Sequence, residues 1–304
     1  MSEAAAAIDW DALAEAVGKF GRPPARTPEG LRVLSEGGFD AVVMNLPPPP
    51  PAAELEPVAV LMAETLVPAA RVPGLAQPGA ALRAAPALNR FAGAAAALPD
   101  SDGLRFVARA TLYRGDEAFF PMHAALIAYA ATWGPTTALA GAERLALRRP
   151  PNAAGASAWT PDDFAEARAR LPAARAALLD PPSPHALTAD VPIGEGRQPA
   201  RVEVRGDMAH PLHGPGLFAS LVMPFRFRDE VALVTTVSQL NAVEAEPLDG
   251  PPHYGAWSPD PGGRAAYGFF LPNGVKLPII ASLFSWMCLR APLAAVALTS
   301  ASPG

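Results

Sequence analysis

The chain has 304 residues, half of them apolar and 17 % charged, with 37 prolines and a formal net charge of −5. That length suits two domains of about 150 residues each, and burying a core is no difficulty. Of 24 basic residues only Lys19 and Lys276 are lysines, and the charge forms no basic stripe, which argues against nucleic acid as the main partner.

In chain order, Asp11 to Phe20 reads as an opening helix. Leu31 to Leu34 and Phe39 to Leu46 read as strands around the Gly37-Gly38 turn, and Pro47 to Pro51 as an extended polyproline bridge. Val58 to Leu66 is the third strand, and Gly79 to Phe91 the middle helix, with Leu82, Ala85 and Leu88 on one face. Gly93 to Leu98 pairs with Leu104 to Tyr113 across the Asp102-Gly103 turn, and Met122 to Trp133 closes the unit as a helix. Arg148 to Ala158 is the expected linker.

The second half gives clearer signals. Thr160, Pro161, Asp162 and Asp163 open a helix by capping and dipole chemistry, and its apolar spacing continues to Leu178 with a kink at Pro172. After a Pro- and Gly-rich loop, Arg201 to Arg205 alternates as a half-buried strand, and Leu217 to Phe227 is a more apolar one. Asp229 to Glu244 is an amphipathic helix with Val231, Leu233, Val234, Val237 and Leu240 inward. His253 to Ser258 and Arg264 to Leu271 form a hairpin around Gly262-Gly263, and Pro278 to Leu289 is the last helix.

The halves align on each other. Trp10 falls on Trp159, Leu88-Asn89 on Leu240-Asn241, the turn at Pro99 on that at Pro259, and Pro121 on Pro278, at shifts of 149, 152, 160 and 157. The expected class is α+β: two tandem α-β-β-β-α-β-β-α domains, 1–150 and 151–304, with mainly antiparallel sheets covered on one side by helices.

The start, Met1 to Trp10, has neither a basic region nor an apolar run, so no export signal is expected. The longest apolar stretch, Leu277 to Leu289, ends at Arg290 and Pro292, short of the roughly 20 residues a membrane span needs. The single cysteine, Cys288, excludes an internal disulfide and reads as a buried thiol, so a cytosolic location is expected.

Candidate chemistry is sparse. Asp207, His210 and His213 in one connection, with His253 on another loop, are the candidate metal ligands by spacing. Pro211, Gly214, Pro215 and Gly216 make that stretch a strand connection, where histidines cap backbone groups or face water, so no metal or cofactor is assigned. Ser220, Ser238, Ser282 and Ser285 lack the Gly-x-Ser-x-Gly elbow, and Glu244 and Glu246 read as a solvated helix end. Asn89 and Asn241 occupy the same slot of both halves, which suits a shared structural role in closing the helix end or bonding the following strand. Tyr254, Trp257 and Tyr267 belong to a late aromatic cluster, and on an outer hairpin face they would form a partner-binding patch.

The element order, with the helix ending Leu240-Asn241, the hairpin Tyr254-Gly255-Ala256-Trp257 to Tyr267-Gly268-Phe269-Phe270-Leu271-Pro272-Asn273 and the closing helix, resembles the type III secretion chaperone fold, and in particular the YbjN-like proteins of bacteria. The resemblance implies a non-enzymatic, acidic domain that holds another polypeptide, present as two fused copies. The expected function is therefore non-catalytic protein or peptide binding, at a sheet edge or a sheet-helix groove, by a monomeric pseudo-dimer or a homodimer, without nucleic acid or membrane. The alternative is a small-molecule or metal site around His210 and His213.

Overall fold

A computed structural model of the chain describes residues 8–20, 22–34, 38–50, 56–71, 75, 77, 79–90, 93–147, 157–171, 177–210, 213–247 and 250–301. The first set of elements is α1 (Trp10–Phe20), β1 (Ala25–Thr27), β2 (Gly30–Leu34), β3 (Asp40–Leu46), β4 (Pro57–Pro68), α2 (Ala80–Asn89), β5 (Ala96–Pro99), β6 (Gly103–Tyr113) and α3 (Phe120–Leu147). The second is α4 (Pro161–Arg170), β7 (Ala177–Leu178), β8 (Ala186–Val191), β9 (Ala200–His210), β10 (Gly214–Arg226), α5 (Glu230–Ala245), β11 (Ala256–Pro259), β12 (Arg264–Pro272) and α6 (Ile280–Ala301).

The class is α+β, with two antiparallel sheets among the described residues. Their strand orders, β1-β2-β3-β4-β6-β5 and β7-β8-β9-β10-β12-β11, are the same order position for position. Both sets have strands beyond those located in the sequence: the three-residue β1 and, in the second half, β7 and β8, where a helix end and a Pro- and Gly-rich loop were expected. The chain divides into two compact units, Met1–Glu143 with Asn241–Ala256, and Arg144–Leu240 with Trp257–Gly304. The first unit thus takes in a segment that a cut between 150 and 151 assigns to the other half.

Local chemistry accounts for the helix starts. Asp9 accepts from the backbone N–H groups of Asp11 and Ala12 at 3.1 and 3.0 Å, and Asp229 from that of Ala232 at 2.7 Å. Thr160 and Asp163 form a reciprocal capping box on α4. That helix stops at Arg170 instead of running to Leu178. Leu171 is extended (ψ 131°), as the residue before a proline prefers, and Leu178 lies in β7.

The tight turns also repeat. Asp100 exchanges backbone bonds with Gly103 at 3.0 and 3.3 Å, and Asp260 does so with Arg264 and Gly263 at 2.9 and 3.1 Å. Gly263 has φ 73°, the left-handed conformation that a side chain disfavours.

In the first sheet the odd positions of β4, such as Leu61, Ala63 and Val67, are buried, and Thr65 donates to the carbonyl of Ala131 in α3. In the second, α6 lays Leu283, Phe284, Met287 and Ala291 inward, and it packs against β8, β9, β10 and α4. Both closing helices carry an internal proline, Pro135 and Pro292, 157 residues apart. α6 continues past Arg290 and Pro292, where the sequence suggested a stop. Arg290 does not interrupt it because its guanidinium is 1 % exposed and stacked 3.9 Å over the Tyr267 ring.

Two inward assignments are corrected. Val231 is 76 % exposed and Leu82 is 62 % exposed; α2 instead buries Ala85, Pro86 and Asn89. Gly37, Pro51, Phe91, Pro172, Pro211 and residues 148–156 of the expected linker lie outside the described residues.

Asn89 fills the structural role that its repeated position suggested. Its amide donates to the carbonyl of Ala97 at 3.0 Å and accepts from the N–H of Ala97 at 2.7 Å, acting as a strand neighbour for β5. Asn241 is likewise buried, at 1 % exposure. Replacing Asn89 by Ala strands two buried backbone groups and is expected to cost about 2–4 kcal/mol in urea unfolding. Asn89→Asp, which sets a carboxylate oxygen against the Ala97 carbonyl, is expected to cost at least as much, and equal stability of wild type and Asn89→Ala would contradict the pairing.

Candidate functional site

The residues singled out in the sequence do not assemble into one site. Asp207 is engaged by Arg205 through bonds of 2.8 and 3.0 Å and by the Ser183 hydroxyl at 2.9 Å. The Arg205 guanidinium holds its carboxyl below the ordinary carboxylate range. His210 ends β9 and pairs with Gly214 across the hairpin. Its ring lies 5.0 Å from that of His213, stacked, and 4.6 Å from that of Phe270. Imidazoles packed face to face present their nitrogens poorly to a shared ion. His253 belongs to the first unit, whereas His210 and His213 belong to the second. Among the described residues no three His, Cys, Asp or Glu side chains are grouped to hold a metal ion.

The expected aromatic patch is corrected. Trp257 and Tyr267 are 0 % and 1 % exposed and meet edge to face at 5.4 Å, and Tyr254 is 2 % exposed. They fill the interior because the alternation of β12 points Tyr267, with Phe269, at α6 and not outward. Cys288 is buried, and desolvation pushes its thiol up to about 12, far from a thiolate at neutral pH.

A buried polar node lies inside the first unit. Arg109, in the middle of β6, is 2 % exposed. Its Nε donates to the backbone carbonyl of Glu244 at 3.0 Å, and a terminal nitrogen donates to Thr111 Oγ1 at 2.8 Å. Its backbone exchanges two bonds with His253, 3.0 and 2.7 Å, adding one rung to the sheet where β5 has ended. His253 Nδ1 in turn lies 3.1 Å from Glu244 Oε2. Tyr113 and the backbone of Gly250 make a further link at 3.1 Å, and Ala245 packs on Met62, Leu98 and Val107. His123, on α3, pairs with the Tyr254 hydroxyl at 2.7 Å, and burial lowers its pKa to about 4. This node anchors the segment Asn241–Ala256 in the first unit, with the Glu244 side chain 19 % exposed at its edge. Sequence reading missed Arg109 and His123; the available signal was an arginine set between Ala108 and Ala110 in the middle of a strand.

Two open depressions lie among the described residues. One of about 530 Å³ lies between the start of α2 and the β5–β6 turn, lined by Leu75, Gln77, Leu82, Asp100 and Ser101. The Asp100 carboxylate there is already used by the turn, accepting from Asp102 N–H at 3.0 Å. A second, of about 90 Å³, lies beside Trp159, Asp163 and Glu166.

The outer face of α6 is different. Leu289, Leu293 and Val296 are 37 %, 55 % and 68 % exposed. Trp286 is half-buried one step before them, and Pro292 and Ala297 are exposed beside them. The helix is therefore apolar on its inner and its outer side, and over Ile280–Thr299 it is long and apolar enough to cross a membrane, with half of that stretch buried in the protein. The sequence signal was the apolar spacing that continues past Pro292, which the expected stop there concealed.

Comparison of the chain with protein-family models, with curated proteins and with solved structures gives no match.

Two outcomes follow from the burial of Arg109 and His123. Unfolded, His123 takes up a proton near its ordinary pKa of 6.5, whereas in the fold it does so only near 4. Stability contributed by its neutral form is present above 6.5 and is lost as pH falls through that window, by about 3 kcal/mol in all. Urea unfolding of wild type and His123→Gln from about pH 7 to about pH 4 is expected to show a steeper loss in wild type; parallel curves would contradict the burial. Arg109→Leu leaves the Glu244 carbonyl and Thr111 without their donor and is expected to cost about 2–4 kcal/mol. A cost of less than about 1 kcal/mol would place the guanidinium in solvent.

Proposed function

We propose that this chain is a non-catalytic, cytosolic protein-binding protein of the chaperone-like kind, and that it meets its polypeptide partner on the outer face of α6. The carrying observation is the exposed, uncharged row Leu289, Leu293 and Val296 on a helix whose other side is already in the core. An apolar row rimmed by smaller residues is the usual mark of a surface that another protein covers. The helix-in-groove mode reads such rows at three- and four-residue spacing.

Several observations support binding over chemistry. The titratable groups inside the first unit, Arg109, His123 and the His253–Glu244 pair, are spent on internal bonds. The Cys288 thiol is held protonated. The resemblance of the sequence to type III secretion chaperone-like and YbjN-like proteins is part of this proposal, and fold analogy alone confers no activity.

Of the two binding modes the sequence left open, strand addition has little to work with. The sheet edges are β1 and β7, of three and two residues, and β5 and β11, of four residues each. β5 is buried along Ala96–Leu98 and β11 along its whole length. Short or covered edges are how sheets avoid pairing with other chains. The partner segment is then helical.

A photo-crosslinking residue placed at position 293 and exposed to cytosol from the source cell is expected to give saturable polypeptide adducts, which Leu289→Glu abolishes. The same probe at Val231, equally apolar and more exposed, is expected to give none. Equal labelling from both positions, or none from position 293, would contradict the reading.

A further inference from the structure

We propose that the occupant of the outer α6 face is the same face of a second copy of this chain, so that α6 pairs with α6 across a two-fold axis. This rests on the reading of that face as a protein-contact surface and names its partner.

The spacing points to a helical partner. Ser282, Trp286, Leu289, Leu293 and Val296 follow one another at steps of four, three, four and three. That is the seam of a helix that packs lengthwise on another helix, not the broader stripe of a helix lying on a sheet. α6 has both: Leu283, Phe284, Met287, Ala291, Ala294 and Leu298 make the broad inner stripe, and the seam lies outside it.

Charge narrows the choice further. Arg290 is the only charged residue in α6, and it is turned inward onto Tyr267. The seam therefore offers nothing to a charged partner and demands an equally uncharged one. A lipid surface is a poorer fit, because interfacial helices hold basic residues along their polar side, and this helix presents none. A second α6 supplies the same uncharged seam, and a two-fold axis brings like patch to like patch, which is how most homodimers close.

Area sets the strength. One helix pair with its flanking Pro292 and Ala297 covers less than the roughly 800 Å² per partner of a standard stable interface, so the dimer is a weak one with dissociation in the micromolar range. Because no ion pair is involved, its strength is insensitive to salt.

The test is sedimentation velocity on the full chain from sub-micromolar to several hundred micromolar, at low and high salt. The expected result is a monomer–dimer equilibrium with a micromolar midpoint at both salts. Leu293→Glu and Val296→Glu are expected to shift that midpoint by more than tenfold while keeping the far-ultraviolet dichroism of wild type. Val231→Glu, on α5, is expected to leave it unchanged. A dimer that survives both seam substitutions would overturn the proposal, since another surface would then be holding it. A wild-type monomer throughout would overturn it as well. In that case adducts at position 293 with a different polypeptide would leave the protein-binding reading standing, and their absence would remove both. Co-sedimentation of wild type, but not Leu293→Glu, with phosphatidylcholine vesicles would assign the face to a membrane instead and overturn the dimer.

Discussion

A guanidinium inside a protein must have its donors met, and Arg109 draws one of its acceptors from far along the chain. The arginine projects from the middle of β6; one acceptor, Thr111, is its near neighbour on that strand, and the other, the Glu244 carbonyl, comes from the C-terminal end of α5, 135 residues later. The same residue's backbone forms a sheet rung with His253. Burying that charge without Glu244 and Thr111 in place would cost several kcal/mol, so the first unit is complete only when Asn241–Ala256 has joined it. His123 with Tyr254 and Tyr113 with Gly250 fasten the same segment at two further points. The unit is contiguous in space and interrupted in sequence.

Around that constraint the two halves follow one plan. Strand order, turn chemistry at Asp100 and Asp260, a buried asparagine after leucine at Asn89 and Asn241, and a proline within the closing helix all recur. Shared devices of this sort belong to the scaffold, since each meets a backbone need: a turn closed, a strand edge satisfied. What the halves do not share is where specificity resides. At the position 157 residues before Leu289 the first closing helix has Thr132, fully buried and bonded to the carbonyl of Ala128 at 2.8 Å. The second has an exposed leucine in the same place. One plan thus carries an apolar outer face on α6 where its counterpart position is polar and enclosed.

Much of the architecture was readable from periodicity and punctuation. Alternation marked β6 and β9, capping residues marked α4, apolar spacing marked α5, and turn residues marked both late hairpins. Strands escaped notice where alternation fails: β8 is buried on both sides, so Leu187, Thr188 and Ala189 read as a featureless run between prolines. Facing was the harder matter. Whether Trp257 and Tyr267 look in or out depends on the register of a strand against its neighbours, and a one-residue change reverses it. Arg290 read as a helix stop because a charge in an apolar run ordinarily meets water; the Tyr267 ring that receives it is 23 residues away. The partners of Arg109 were out of reach for the same reason, since no local pattern announces a contact spanning 135 residues. The candidate surface was half visible, as an apolar run ended too early.

The integrity of the first unit depends most on Asn241–Ala256, and amide hydrogen exchange under native conditions reports on that segment directly. The N–H of His253 donates to Arg109 and that of Arg109 donates to His253, so both are protected only while the rung exists. Both amides are expected to exchange through the same rare opening as the amides of Val107 and Ala110 in the interior of β6. Exchange of His253 and Arg109 at rates near those of a solvated loop, with β6 otherwise protected, would contradict a first unit built around that rung.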